Sequence, residues 1–319
     1  MPHRETKTII SADRRHFLHP YQVFDAADDD MLPVDRGDGA RIVDTDGNEY
    51  LDGVGGLWCN NIGLGRREMV EAIATQVDKL AFANPFVDMT NEPAVELAEK
   101  LSSLAPGSLN HVFFTCGGST AIDSALRLSQ FYWSCMGEPD RRHVISRTDA
   151  YHGTTMAAVS IGGKPGDRMP EFTFMTDTIH HLSSPNFYRH GGERTEQRFA
   201  DDLVDEFMAK VGSLGGPGHV AAFFAEPIMG AGGVVVPPGD YLQRIWRYCK
   251  DNGILYVSDE VVTGFGRIGE WFVSETIFGI QPDMITSAKG LSSGYIPLGA
   301  LLFTDEIYDV ISERGNGRS

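Results

Sequence analysis

Several features that would move this chain out of the ordinary soluble enzymes are scarce or missing. Its 319 residues include only four cysteines, Cys59, Cys116, Cys135 and Cys249, scattered without metal-ligand spacing. They predict buried free thiols in a reducing cytoplasm, with neither a disulfide framework nor a metal site. No run approaches the roughly 18 apolar residues of a membrane span. Met1 to Asp13 has no apolar core of the kind a secretory signal carries. A cytoplasmic protein without membrane contact is expected. Basic residues are also few: 27 Lys and Arg stand against 44 Asp and Glu, for a net charge of −17. The basic face that a nucleic-acid binder needs is therefore excluded. Neither a Gly-Lys-Ser/Thr phosphate loop nor a dinucleotide fingerprint is present, and there is no internal repeat. Hydrophobic content of 42% and charged content of 22% are ordinary for a globular enzyme. A chain this long buries one large core, or one core and a smaller lobe.

The pattern along the chain changes after about residue 101. Residues 1–30, ending in Asp28-Asp29-Asp30, read as a polar, irregular arm. Ala40–Asp44 and Glu49–Asp52 flank Thr45-Asp46-Gly47-Asn48, where Asp-Gly between alternating runs signals a hairpin. Met69, Ile73, Val77 and Leu80 recur at helical spacing, and a second amphipathic helix follows Thr90. Beyond these, apolar runs at 111–115, 143–146, 220–225, 254–258, 284–287 and 298–303 alternate with helical patterns at 120–132 and 241–250. That order predicts an α/β fold with a largely parallel sheet covered by helices. The polar, glycine-rich stretch 186–218 reads as surface loop plus one helix. The expected domains are an N-terminal arm and hairpin, 1–65, belonging to a small domain, and a large domain, 66–319.

Chemistry concentrates at the ends of the strands. Asp259 and Lys289 each follow a short apolar run that reads as a buried strand. An acid and a lysine at adjacent strand ends suit pyridoxal phosphate (PLP). The amine condenses with the aldehyde as a Schiff base, and the carboxylate keeps the pyridine nitrogen protonated. Cys116-Gly117-Gly118-Ser119-Thr120 joins a strand to a helix, where glycines admit an anion to the helix N-terminus and two hydroxyls add donors. An ordinary capped glycine turn explains that segment equally well by itself. Tyr151-His152-Gly153 and Glu226-Pro227 close two further strands, and Val261 lies two residues after Asp259. As isolated residues, Tyr151 and Val261 fit core packing as well as a flat ring. In open α/β sheets, ligands bind outside the carboxyl ends of the strands, and all these segments fall at such ends.

Taken together, the chain resembles the class III aminotransferases, or ω-transaminases, PLP-dependent enzymes of fold type I. The matching segments run from Gly53-Val-Gly-Gly-Leu-Trp58 through Gly117-Gly-Ser119, Tyr151-His-Gly153, Glu226-Pro227, Asp259-Glu-Val261, Lys289-Gly290 and Ser292 to Gly299. The resemblance implies that Lys289 forms the Schiff base and shuttles the substrate proton while Asp259 pairs with the pyridinium. It implies that Tyr151 and Val261 sandwich the ring, with His152 and Glu226 beside it, and that Gly118, Ser119 and Thr120 hold the phosphate. Leu57, Trp58, Tyr151 and Phe86 would shape the substrate pocket, Phe86 across a homodimer interface. Glu226 also resembles the acid that, in some members, pairs with a switching arginine. The implied reaction moves an amino group from an amine or ω-amino acid to a keto acid such as pyruvate. The same residues would equally serve an aminomutase or decarboxylase of this fold.

Family members are longer, and the chain stops in the polar segment Glu313–Ser319. The sequence therefore reads as a fragment lacking the C-terminal part of the small domain. Its hairpin is expected to expose an apolar face, and PLP binding without turnover is the corresponding alternative.

Overall fold

A computed structural model describes residues 4–22, 24 and 31–315. They fall into two compact units, Met1–Phe82 and Ala83–Ser319. In the first unit, helix α1 (Thr6–His16) is followed by strands β1 (Val34–Asp38), β2 (Arg41–Asp44) and β3 (Glu49–Leu51). A short turn of helix, α2 (Gly55–Trp58), and α3 (Arg67–Lys79) complete it. The expected irregular arm is corrected over residues 6–16. There Ile10 is buried, and Arg14, Arg15 and His16 occupy the last turn, where cations suit the helix dipole. Asp28, Asp29 and Asp30 lie outside the described residues, as do the last four residues, 316–319.

The hairpin forms as expected, with β1 adding a third antiparallel strand. Its turn is fixed by Asp44, which accepts from the backbone N–H of Asp46 and Asn48, the Asn48 amide and the Tyr50 hydroxyl. Those donors, Asn48 foremost, hold the Asp44 carboxyl below the usual carboxylate range. Val43 is buried, while Val34 and Leu51 are exposed. An antiparallel bridge between Gly39 and Leu64 keeps the chain entering α3 on this sheet. The division between units accordingly falls at Phe82, whereas the domains expected from the sequence divide at residue 65.

The second unit runs α4 (Glu92–Leu104), β4 (His111–Thr115), α5 (Gly118–Cys135), β5 (His143–Arg147), α6 (Met156–Ile161) and β6 (Ile179–Leu182). It continues with α7 (Phe187–His190), α8 (Glu196–Ser213), β7 (Val220–Ala225), α9 (Tyr241–Asp251) and β8 (Leu255–Asp259). The last elements are α10 (Val273–Thr276), β9 (Met284–Ser287), β10 (Gly299–Phe303) and α11 (Asp305–Arg314). The seven strands lie in the order β4-β10-β9-β8-β7-β5-β6. Only β10 runs against its neighbours. It follows β9 without a crossover α-helix, so the chain turns back and pairs antiparallel.

Alternation along the strands sends side chains to opposite faces of this sheet. Ile145, Phe223 and Tyr256 pack with Phe199, Leu203 and Phe207 of α8 and Ile245 of α9. Val144, Ala222, Phe224 and Val257 pack on the other face with Ile122, Ala125 and Leu126 of α5. Each large side chain buried this way contributes roughly 1.5–3 kcal/mol before entropy. The stretch 186–218 carries an exposed loop and a long helix, α8, whose inner face buries Phe199, Ala200, Leu203, Val204, Phe207 and Val211. Strand β6 has no counterpart in the sequence reading, because Ile179-His-His-Leu182 is too short and polar to show a period. The four cysteines are free, but only Cys249 is buried and Cys116 is exposed. Among the described residues, no helix is long and apolar enough to cross a membrane, and no group of three or more metal-ligating side chains comes together.

His143 and His180 meet across β5 and β6, with Nε2 of His180 and Nδ1 of His143 3.1 Å apart. Burial first, then nearby Arg142 and His219, lowers the pKa of His143; burial and His143 lower that of His180. A histidine harder to protonate in the fold contributes stability that is complete above its unfolded pKa and lost as pH falls. We predict a declining melting temperature as pH drops below about 6.5. The double variant His143→Gln/His180→Gln should flatten that part of the profile, measured by thermal unfolding from pH 8 to 5.

Candidate active site

The carboxyl edge of the parallel strands collects most of the residues picked out from the sequence. Asp259, the last residue of β8, is 4% exposed. Its Oδ1 accepts from the Val261 N–H at 3.1 Å and the Thr286 hydroxyl at 3.2 Å. Its Oδ2 lies 2.7 Å from Nδ1 of buried His152, whose Nε2 is 3.3 Å from the Ser146 hydroxyl. The carboxylate is thus held on both oxygens by groups from β9 and two loops, with Ser146 of β5 backing His152. A buried charge anchored this way keeps one orientation.

Lys289 enters the same edge from the neighbouring strand. Thr286 of β9 pairs with Asp259 in the sheet register, and Lys289 follows three residues later. Its backbone sits in the left-handed region, at φ 41°. For a side chain with a Cβ such a conformation costs roughly 1–3 kcal/mol, and it clusters at functional sites.

The glycine turn packs directly against this pair of loops. A Cβ on Gly118 would come within 3.1 Å of both Val261 methyls and 3.7 Å of the Ala288 Cβ. Gly118, Val261 and Ala288 therefore converge, with Lys289 the next residue. The hydrogen-bond ladder of α5 begins with Ala121 N–H to Gly117 O. By helix geometry the amides of Gly118, Ser119 and Thr120 lie outside it, at the positive end of the dipole. Ser119 Oγ accepts from the Thr154 N–H at 3.1 Å, which leaves its own proton available to donate. The Thr120 hydroxyl donates to Gly117 O at 2.8 Å, so it serves the turn here, and the backbone N–H is the donor Thr120 has left to offer an anion.

Gly153 brings the next segment onto the turn. At φ 134° a Cβ there would overlap the Ser119 hydroxyl, so a side chain would push Tyr151-His152 away from α5. Asp123 of α5 fastens the same loop, accepting from the Thr155 hydroxyl at 2.7 Å and the Ala158 N–H at 3.0 Å. Tyr151 is partly buried, and burial, then Asp167 and Asp259, raise its phenol pKa.

Glu226 is buried at 4% exposure. Its Oε1 accepts from the Tyr151 N–H at 3.1 Å and its Oε2 from the Gly230 N–H at 2.9 Å. Both oxygens therefore serve backbone donors, which gives this acid a positioning role at the Tyr151 loop. Desolvation raises its pKa, opposed by His152 and the two N–H donors and helped by Asp259. Glu260, quoted only as part of the Asp259-Glu-Val motif, is fully buried. It accepts from Val273 N–H, Ser274 N–H, the Ser274 hydroxyl and the Thr263 hydroxyl, fixing the loop after β8 to the start of α10.

Phe86 is 75% exposed. Leu57 and Trp58 lie in the first unit, on the turn Gly55–Trp58, with left-handed φ of 73° and 62°. Leu57 is exposed and Trp58 half-buried.

A mostly parallel sheet flanked by helices in this way is the fold of a PLP-dependent transferase. The family profile described as Aminotransferase class-III matches residues 24–318, and the chain belongs to that family. Putrescine–pyruvate aminotransferase of Pseudomonas aeruginosa is 39% identical, over 98% of this chain and 68% of its own. Gamma-aminobutyrate transaminase 1 of Oryza sativa subsp. japonica, described as mitochondrial, is 38% identical over 89% of this chain and 55% of its own. The chain thus spans a little over half to about two thirds of these relatives. Among solved structures, an (S)-enantioselective omega-transaminase from Thermomicrobium roseum superposes with a TM-score of 0.93 at 38% identity. That match covers 98% of this chain and 69% of the other. An omega-transaminase from Pseudomonas jessenii in complex with PMP, a PLP-derived form, gives a TM-score of 0.92 at 35% identity, covering 97% of this chain and 68% of the other.

Proposed function

We propose that this chain carries the PLP site of a transaminase that moves an amino group from an amine or ω-amino acid to a keto acid such as pyruvate. The observation that carries the reading is the convergence of Gly118, Val261 and Ala288-Lys289 beside an anchored Asp259. The donor set fits the cofactor. A phosphate dianion matches the amides of Gly118–Thr120 and the Ser119 proton, a pyridinium nitrogen matches the Asp259 carboxylate, and an aldehyde matches the Lys289 amine. When bound, PLP supplies an electron sink for charge developing on the substrate carbon. Lys289 would hold the cofactor through its amine and would move the substrate proton as general acid and base. Asp259 keeps the ring nitrogen charged, Val261 and Tyr151 bound the ring, and Glu226 with His152 keeps those walls in place.

The named activities of the Pseudomonas and rice relatives support an amine or ω-amino acid as donor. A homodimer is proposed on the exposed run Phe86, Val87 and Met89, which is strongly apolar for a solvated surface. The four free thiols suit the cytoplasm.

The test is the visible absorption of the purified chain with PLP, before and after putrescine or γ-aminobutyrate is added. A yellow band that bleaches with donor is expected. A band indifferent to every amine donor would refute amino transfer by this chain while leaving cofactor binding standing; no band at all would refute both.

A further inference from the structure

Among the described residues, Arg147 is the largest side chain buried completely, at 0% exposure. No carboxylate pairs with it among the described residues, and its Nε and Nη1 have no hydrogen-bond partner there. A guanidinium in that state is a poor source of stability, because an apolar side chain of similar length avoids the desolvation cost. What it does make is one short bond, from Nη2 to the main-chain oxygen of Glu226, at 2.7 Å.

That bond lies just past the ladder between β5 and β7, whose last paired residues are Ile145 and Phe223. Arg147 thus prolongs the pairing with its side chain and holds the peptide from which the Glu226 carboxylate projects. The carboxylate then returns to the N–H of Tyr151, only four residues beyond Arg147 in the chain. Residues 147–151 are closed into a ring through Glu226. The ring contains a conformation that needs holding, for Asp149 is left-handed at φ 68°. Its other supports are backbone bonds: Thr148 N–H to Leu182 O, Asp149 N–H to Gly163 O, Ala150 N–H to Arg147 O, and Gly163 and Lys164 N–H to Ala150 O. Near Arg147, the Tyr241 phenol is pushed up to about 12, by burial against the opposing influence of the guanidinium.

We propose that Arg147 is a positioning residue that sets the wall of the active site. Through Glu226 it fixes where Tyr151 and His152 stand, and His152 in turn meets Asp259. The inference deepens the PLP reading and rests on it for its functional meaning, but the clamp is a property of the protein alone.

Amide hydrogen exchange on the full apo chain tests the clamp without cofactor. Arg147→Met keeps length and apolar packing while removing the donor. Its Tyr151 amide should exchange at least about tenfold faster than in the wild type, with the melting temperature unchanged or raised. Arg147→Lys restores a donor and should bring that exchange back toward wild type. With PLP added, Arg147→Met should change the circular dichroism of the cofactor band and lower kcat more than it raises KM. Wild-type exchange at Tyr151 in the Met variant would overturn the proposal. If Arg147→Met does not fold, the Lys variant decides, since slow exchange with a lysine donor supports the clamp and fast exchange in a folded Lys variant overturns it. Failure of the wild type to take up PLP would refute the cofactor reading instead, and the exchange result separates the two.

Discussion

Lys289→Ala is expected to abolish the visible PLP band and lower amino transfer by at least about 10⁴-fold, the upper range for loss of a group that is both nucleophile and acid–base. Lys289 opens a short 3-10 turn after Ala288 with φ 41°, where any residue but glycine is strained. A chain folding only for stability would place glycine there. Lysine at that point, one residue beyond the Ala288 that meets the Gly118 turn and just past the strand paired with that of Asp259, is best explained by what the amine does. A companion variant makes the point sharper. Lys289→Gly should lose activity to the same degree while gaining roughly 1 kcal/mol of stability from relief of that conformation. Denaturant unfolding of the three proteins, read beside their spectra, checks both halves. A Lys289→Ala protein that keeps the band and turns over would remove the amine from the mechanism.

Much of this site was legible because strand ends announce themselves. Short apolar runs ending in Asp259, Glu226 or Ala288-Lys289 mark where buried β-strands reach the edge of a sheet, and ligand chemistry lies beyond that edge. The parallel order followed from helices between strands. The direction of β10 did not, because it depends on a connection containing only a turn of 3-10 helix, which the apolar pattern does not show. The role of the Thr120 hydroxyl was hidden for a similar reason. A Ser/Thr at a helix start can donate outward or fold back onto its own turn, and only the geometry settles that it meets Gly117 O. Arg147 left a signal that passed unread. A charged residue closing the run His143-Val-Ile-Ser is out of place in a buried strand, and the apolar pattern ends one residue too early to include it. His152 was named for its place in a motif, while its link to Asp259 joins positions 107 residues apart, a distance that local patterns do not span.

Asp259→Asn should leave the apo fold within about 1 kcal/mol of wild type, since the side chain is isosteric and its contacts are re-formed. The rearrangement is specific. The Val261 N–H and Thr286 hydroxyl both donate to Oδ1, so the asparagine carbonyl must take that position. Its NH₂ group then faces His152 Nδ1, which has to become an acceptor, and the imidazole proton moves to Nε2, toward the Ser146 hydroxyl. Packing survives this exchange, but the negative charge does not. On the proposed reading, an amide would replace the anion that would keep the cofactor's pyridine nitrogen protonated, which would weaken the electron sink. The donor half-reaction is expected to slow by roughly 10²–10⁴-fold, with a smaller loss of PLP affinity because the phosphate turn is untouched. Single-turnover bleaching of the cofactor band separates those two quantities. Asp259→Asn reacting at the wild-type rate would show that the buried carboxylate serves the fold alone. A slow variant with unchanged melting temperature would place its effect on the chemistry.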